Sequence, residues 1–237
     1  MNVITEIKKG QVGTGLLIEN DGYVSMNSEA NRPIMEAINA GDATSRRVLP
    51  NPFVVSAVFQ KFGIENANGR IYPENVLKRE VEKYQTAIAE RRAYGELNHP
   101  ESSAIDLSRI ALNIIELHWE GHTLVGKMEI PISDGFRDHG GVYTCADILA
   151  QWLLSGLKVG VSSRGLGSVT QQMGSLIVGD DYDIVCWDAV SQPSTPQAWI
   201  EENPEKLRPY IESEKKEGTL IKEDKFSEFD EWLHLND

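Results

Sequence analysis

The sequence predicts an α+β fold, a mainly antiparallel β-barrel or sheet with a few flanking helices. Three observations predict it. Short apolar runs rich in β-branched and aromatic residues follow one another with turns between them. Successive strands without intervening helices argue against a doubly wound parallel sheet. The 237 residues, 41% hydrophobic and 25% charged, suit a globular chain of one large domain or two small ones.

The elements follow in order. Gly15-Leu16-Leu17-Ile18 is a short candidate strand in a poorly periodic first 50 residues. After the Asn51-Pro52 break, Phe53 to Phe59 reads as a buried strand. Asn66 to Pro73 has turn composition. Val76, Leu77, Val81, Tyr84 and Ile88 recur at helical spacing, predicting an amphipathic helix from Pro73 to about Arg92, with Gly95 as its stop. Ala111 to His118 and Leu124 to Ile130 form a hairpin around Glu120-Gly121-His122. Thr144 caps a second helix, Cys145 to about Leu157, with Ile148, Leu149, Trp152 and Leu153 on one face. Val159-Gly160-Val161 then enters a glycine-rich turn, followed by strands near Ser175–Gly179 and Asp183–Val190. Asp180 to Asp183 is a hairpin turn, and Glu202 to about Glu217 a surface helix.

These pieces divide into an N-terminal segment, 1–50, a central domain, 51–200, and an acidic tail, 201–237. The tail holds 12 Asp and Glu against 6 Lys and Arg, nearly half of the net charge of −13. That charge argues against nucleic acid or an anionic membrane as partner, since such binding rests on cationic neutralisation of phosphate. No apolar run approaches the roughly 20 residues of a membrane span. The N-terminus lacks the basic-then-apolar pattern of a secretory signal, so a protein that is not secreted is expected. Cys145 and Cys186 are too few for a disulfide framework or a four-cysteine zinc site. His118, His122 and His139 lack the cysteine or carboxylate pattern of a metal centre, and His234 lies in the tail. No metal or cofactor is called for.

Three segments carry candidate chemistry. His99 sits before Pro100 in a connecting segment, where proline biases it toward extended geometry. Gly160-Val161-Ser162-Ser163-Arg164-Gly165-Leu166-Gly167-Ser168 offers two hydroxyls, with small residues that let a substrate approach. Amides around Ser163, Arg164 and Gly165 are candidates for an oxyanion site. The stretch lacks the Gly-Lys-Ser/Thr ending of a phosphate loop, and arginine at 164 breaks a G-x-S-x-G elbow. A plain turn between strands is the competing reading. Asp188 interrupts an apolar strand, so it faces water or a buried partner such as a histidine. Spacing alone leaves open whether histidine, serine and aspartate meet.

Taken together, Gly95-Glu96-Leu97-Asn98-His99-Pro100, the 160–168 stretch, Asp188-Ala189-Val190-x-x-Pro193-Ser194-x-Pro196-x-Ala198-Trp199 and the earlier Asn66-x-Asn68-x-Arg70-x-Tyr72-Pro73 resemble the prohead core protein proteases of contractile-tailed bacteriophages. The similarity spans about Phe53 to Trp199. It implies a serine endopeptidase inside the immature capsid, assembled in the host cytoplasm, that degrades scaffold and core proteins and trims the major capsid protein. The implied fold is herpesvirus-protease-like, a β-barrel with surrounding helices. By the family pattern Ser162 is the nucleophile, His99 the base and Asp188 the third member; Ser163 stays open as a substitute for Ser162. A homo-oligomer is expected.

The resemblance also implies cleavage after glutamate in Ile/Leu-x-Glu contexts, and hence a cationic subsite, for which Arg164 and Arg70 are the candidates. Ile4-Thr5-Glu6, Leu17-Ile18-Glu19, Ile200-Glu201-Glu202 and Ile221-Lys222-Glu223 are such triplets in this chain, so self-trimming of both ends is expected. The alternatives are a non-catalytic scaffold protein of the procapsid and a Ser-His-Asp esterase or amidase.

Overall fold

A computed structural model of the chain describes residues 6–18, 52–172, 174–201 and 205. The strands are β1 (Gly13–Ile18), β2 (Phe53–Lys61), β3 (Arg70–Ile71), β4 (Tyr94–Glu96), β5 (Ile110–Glu120), β6 (Thr123–Ile130), β7 (Gly160–Gln172), β8 (Ser175–Val178), β9 (Asp183–Val190) and β10 (Ile200–Glu201). Three α-helices accompany them: α1 (Glu74–Ala89), α2 (Asp134–His139) and α3 (Cys145–Leu154).

The strands form two five-stranded sheets. One has the order β10-β2-β6-β5-β4, antiparallel throughout. One of its interior strands, β2, is apolar on both faces because both are covered, which is why it reads as a continuous run. The other has the order β1-β7-β8-β3, with β9 also on β7. Single bridges link the two: Leu97 to Ala189, and Gly160 to Trp199. The α+β, mainly antiparallel expectation agrees with this arrangement. Its barrel form does not follow from it, because the ladders make two sheets and not one closed ring.

Trp187 of β9 sits at the centre of the larger core. It is fully buried, with the rings of Phe59 and Tyr84 edge-on at 5.9 and 4.9 Å, and its Nε1 donates to Gln60 Oε1 at 3.2 Å. α1 adds Val81, Tyr84 and Ala87 to this core, and α3 adds Leu149, Ala150 and Leu153. A second core gathers Leu17, Tyr72, Leu77, Val169, Val178 and Tyr182 under the other sheet.

Several local expectations change. α1 ends at Ala89, where Arg91 takes a left-handed φ of 56°; Gly95 lies beyond, inside β4. The glycine-rich stretch is no turn but part of β7, a 13-residue strand. Its glycines are dictated by packing: a Cβ on Gly165 would lie 2.5 Å from the ring of Tyr182, and one on Gly167 3.0 Å from the Tyr182 backbone. The close approach expected there for a substrate is therefore made by Tyr182. α3 stops at Leu154 but starts as expected, with a capping box between Thr144 and Asp147.

Residues 6–18 share a sheet with β7, and Leu17 is fully buried. Arg70, itself buried, donates to the carbonyls of Ile7 and Ile18. The boundary expected near residue 50 does not separate these residues from the central domain. Apart from Glu205, the helix expected at 202–217 lies outside the described residues, and of the four Ile/Leu-x-Glu triplets only Glu6, Leu17, Ile18, Ile200 and Glu201 are described.

Gly95 is the hinge between fold and site. Its missing side chain lets β4 run against β9, where a Cβ would lie 2.2 Å from the Trp187 carbonyl oxygen and 2.6 Å from Leu112. Backbone cannot give way as a flexible side chain can, so Gly95→Ala is expected to cost at least about 2 kcal/mol and to lower Tm by roughly 5 °C or more. Thermal denaturation checks this; an unchanged Tm would show that the two strands are free to part.

Candidate active site

Three chain segments meet beside β9: residues 95–99, residues 102–109 and β7. The 95–98 segment runs along 187–189, with the Asn98 amide donating to the Ala189 carbonyl at 2.8 Å. Asn98 then takes a left-handed φ of 64°, a conformation asparagine tolerates better than most residues. This turns the chain so that the His99 side chain comes back toward β9. His99 Nδ1 lies 2.6 Å from Asp188 Oδ2, and both side chains are fully buried.

Register supplies the serine. In the β7–β9 ladder Ser162 stands opposite Asp188, Ser163 opposite Trp187 and Arg164 opposite Cys186. Directly paired residues of an antiparallel ladder share a face, and successive residues alternate. Ser162, Arg164, Cys186 and Asp188 are therefore on one face, and Ser163 is on the Trp187 face. Of the two hydroxyls the sequence left open, Ser162 is on the side of the imidazole's carboxylate.

Asp188 takes more than one partner. Its Oδ1 accepts from the Glu96 amide at 2.8 Å and from the Cys186 thiol at 3.2 Å. Arg164 Nε donates to Oδ2 at 2.9 Å, and Nη2 reaches Oδ1 at 3.3 Å. Burial pushes the Asp188 carboxyl up, but the hydrogen bond and electrostatic attraction of the His99 ring, the positive charge of Arg164 and the Glu96 amide outweigh it, so the group lies below its ordinary value. An ionised carboxylate only accepts, so His99 Nδ1 carries the hydrogen and Nε2 the lone pair. Nε2 is buried and has no hydrogen-bond partner among the described residues. An imidazole oriented by a carboxylate, with its other nitrogen available as a base, is the arrangement that activates a hydroxyl.

Arg164 and Glu96 complete the cluster. Arg164 Nη2 donates to Glu96 Oε1 at 2.9 Å, and Nη1 to the Ser102 carbonyl at 2.6 Å; both side chains are fully buried. Burial disfavours the guanidinium charge, while Cys186, Asp188 and Glu96 hold it above its ordinary pKa. Burial, and then the Asp188 charge, keep the Cys186 thiol protonated. Glu96 also accepts from the Asp106 amide at 3.0 Å and from Arg109 Nε at 3.1 Å.

This geometry corrects three expectations. The Arg164 guanidinium cannot serve as a subsite for a substrate carboxylate, because it is buried and engaged with groups of the chain itself. Arg70 is engaged in the same way, on Ile7 and Ile18. The amides of Arg164 and Gly165 do not form an oxyanion site, since both residues pair with β9 on one side and β1 on the other. Glu96 was missed, although its place beside Gly95 and three residues before His99 was visible. Among the described residues no group of three or more His, Cys, Asp or Glu side chains is arranged to hold a metal. His118 is exposed beside Glu116 and Glu120, and His122 packs on Phe62.

A strand-built domain thus holds a buried aspartate against a histidine, with a buried serine across the ladder from the aspartate. Residues 16–208 match the family described as prohead core protein serine protease, and the chain belongs to that family. It is 35% identical over 150 residues to the prohead core protein protease of Enterobacteria phage T4, covering 62% of this chain and 66% of that protein, just short of two thirds. It is also similar to the solved structure of the bacteriophage T4 capsid assembly protease, gp21. There the TM-score is 0.53 and the identity 29%, covering 58% of this chain and 80% of that one.

A depressed carboxylate pKa stabilises the fold at pH values above the unfolded value, about 3.9 for aspartate, and that contribution is lost as pH falls through the folded value. Asp188→Asn removes it and leaves Arg164 short of a partner. The expected cost is about 3–5 kcal/mol at neutral pH. The difference from wild type narrows in urea titrations as pH drops below about 4. A difference independent of pH would mean that Asp188 is not ionised in the folded protein.

Proposed function

We propose that the protein is a Ser-His-Asp endopeptidase of phage head maturation, acting inside the prohead on scaffold or core proteins and on the major capsid protein. The observation that carries this reading is the buried Asp188–His99 contact of 2.6 Å with Ser162 across the ladder from Asp188, in a chain of the prohead protease family. The single bridges between the two sheets support the finer fold reading, a herpesvirus-protease-like barrel.

In the proposed reaction His99 Nε2 takes the Ser162 proton as Oγ bonds to the scissile carbonyl carbon. The same imidazole then passes that proton to the leaving amine as the C–N bond breaks. Water, deprotonated by His99, attacks the resulting ester, releases the acid and restores the Ser162 hydroxyl. Asp188 holds the imidazole tautomer and stabilises its cation between these steps.

Cleavage after glutamate in Ile/Leu-x-Glu contexts, self-trimming and a homo-oligomeric state belong to the same proposal. The cation that would meet the glutamate is neither Arg164 nor Arg70. Among the described residues no helix is long and apolar enough to cross a membrane, in keeping with a site of action inside the capsid.

Co-expression with the procapsid proteins tests the reading. Wild type is expected to yield scaffold fragments, Ser162→Ala to lose at least about 10³-fold in rate, and Ser163→Ala to retain activity. Intact scaffold with every variant would favour a structural role in the core, and turnover of model esters alone would favour an esterase. Mass spectrometry of the purified protein after prolonged incubation tests self-trimming: termini ending after Glu6, Glu19, Glu202 or Glu223 are expected with wild type and absent with Ser162→Ala.

A further inference from the structure

Arg164 stands on β7 two residues beyond Ser162, so both project from the same face of the strand. Its guanidinium touches both ends of the machinery. It grips Asp188 through Nε and Nη2, and Nη1 ties down the Ser102 carbonyl, three residues after His99. Behind it, Glu96 accepts from Nη2 and also holds the Asp106 amide and Arg109. Arg109 Nη2 in turn donates to the Leu97 carbonyl at 2.6 Å. The segment that carries His99 is thus fastened before and after the histidine by one buried charge network.

We infer that Arg164, backed by Glu96, is the positioning residue of this site: it shares the Asp188 carboxylate with His99 and thereby sets both the orientation and the basicity of the imidazole. This rests on the proposed hydrolase reading, and it gives Arg164 a role different from substrate recognition. A planar fork explains the residue type. Two donors meet the two oxygens of Asp188 while a third nitrogen turns to a carbonyl, which a lysine ammonium does not match.

The electrostatic consequence has a sign. The groups gathered around Asp188, the carboxylate that His99 touches, are the neutral Cys186 thiol from β9, Arg164 from β7 and Glu96 from β4. Asp106 and Arg109 follow on the next segment, and the Tyr84 hydroxyl lies on the α1 side. Before the imidazole takes a proton, Asp188, Glu96 and Asp106 carry three negative charges against the two positive charges of Arg164 and Arg109. Neutralising Arg164 frees the negative charge of Asp188 for the imidazolium and makes His99 the stronger base. Neutralising Glu96 leaves Arg164 uncompensated and makes His99 the weaker base. Two partners of one ion pair therefore act in opposite directions.

The experiment compares Glu96→Gln, Arg164→Gln and Arg164→Lys with wild type. It follows the His99 ring resonances by NMR through a pH titration, and the pH profile of kcat/KM for cleavage. The midpoint is expected to move down in E96Q and up in R164Q, by about 0.5–1.5 pH units each, and the acid limb of kcat/KM to move with it. R164K keeps the charge and loses the fork. It is expected to leave the midpoint near wild type while kcat falls on the order of 10-fold to 10²-fold, with KM little changed. Should R164Q fail to fold, the direction in E96Q and the kcat–KM split in R164K still decide. Midpoints that move together, or do not move in folded protein, overturn the inference. The NMR readout does not depend on proteolysis: absent cleavage by wild type would sink the proposed function and leave the shared-carboxylate inference to the titration.

Discussion

The site depends on one buried carboxylate. Asp188 is placed where an isolated charge would be prohibitive, and it is tolerated because four donors converge on it: the amide of Glu96 and the imidazole of His99 from one segment, the fork of Arg164 from β7 and the thiol of Cys186 from β9 itself. Each donor has a geometric requirement of its own. The amide requires β4 to lie against β9, which only glycine at 95 permits. The guanidinium requires a second carboxylate, supplied by Glu96. The imidazole requires a reversal of the chain at Asn98. Fold and chemistry are therefore the same problem here, solved around one side chain.

The arrangement separates two tasks that sequence motifs tend to merge. On one face of β7, Ser162 and Arg164 point to the polar cluster; on the other, Ser163 stands with Trp187, whose indole is clasped by Phe59 and Tyr84. A period of two along a single strand thus distinguishes adjacent serines that composition treats as equal. The same ladder stiffens the site, since β7 is flanked by β9 and β1 over much of its length. A functional group on a doubly paired strand is held more closely than one on a loop.

The core elements were legible because burial leaves periodic traces. β2, the β5–β6 hairpin, α1 and the capped start of α3 all follow from apolar spacing and from turn or cap residues. His99, Ser162 and Asp188 stand out as residues through the motifs around them, but the contact of His99 with Asp188 and the place of Ser162 opposite Asp188 come from strand pairing, which spacing does not encode. The glycine-rich stretch was misread because glycine carries two meanings. In sequence it reads as a turn open to a substrate, whereas Gly165 and Gly167 make room for Tyr182 within a strand. Arg164 and Glu96 were misjudged because a charged residue is assumed to face water, and nothing in one sequence shows two such residues neutralising each other in the interior. The available clue was Arg164 two positions from Ser162 in a stretch that is otherwise small and apolar.

The cluster draws on residues 96, 99, 164 and 188, so its contacts span up to 92 positions of the chain. A polypeptide emerging from the ribosome holds none of these contacts until β9 has been synthesised and has found β7 and β4. Long-range pairings of this kind come late, because the entropy of closing large loops precedes any reward from the contact. During translation and early collapse the members of this cluster are four scattered, hydrated side chains. A cluster built in this way exists only once its strands have paired, so the nascent chain lacks it for the whole of that interval.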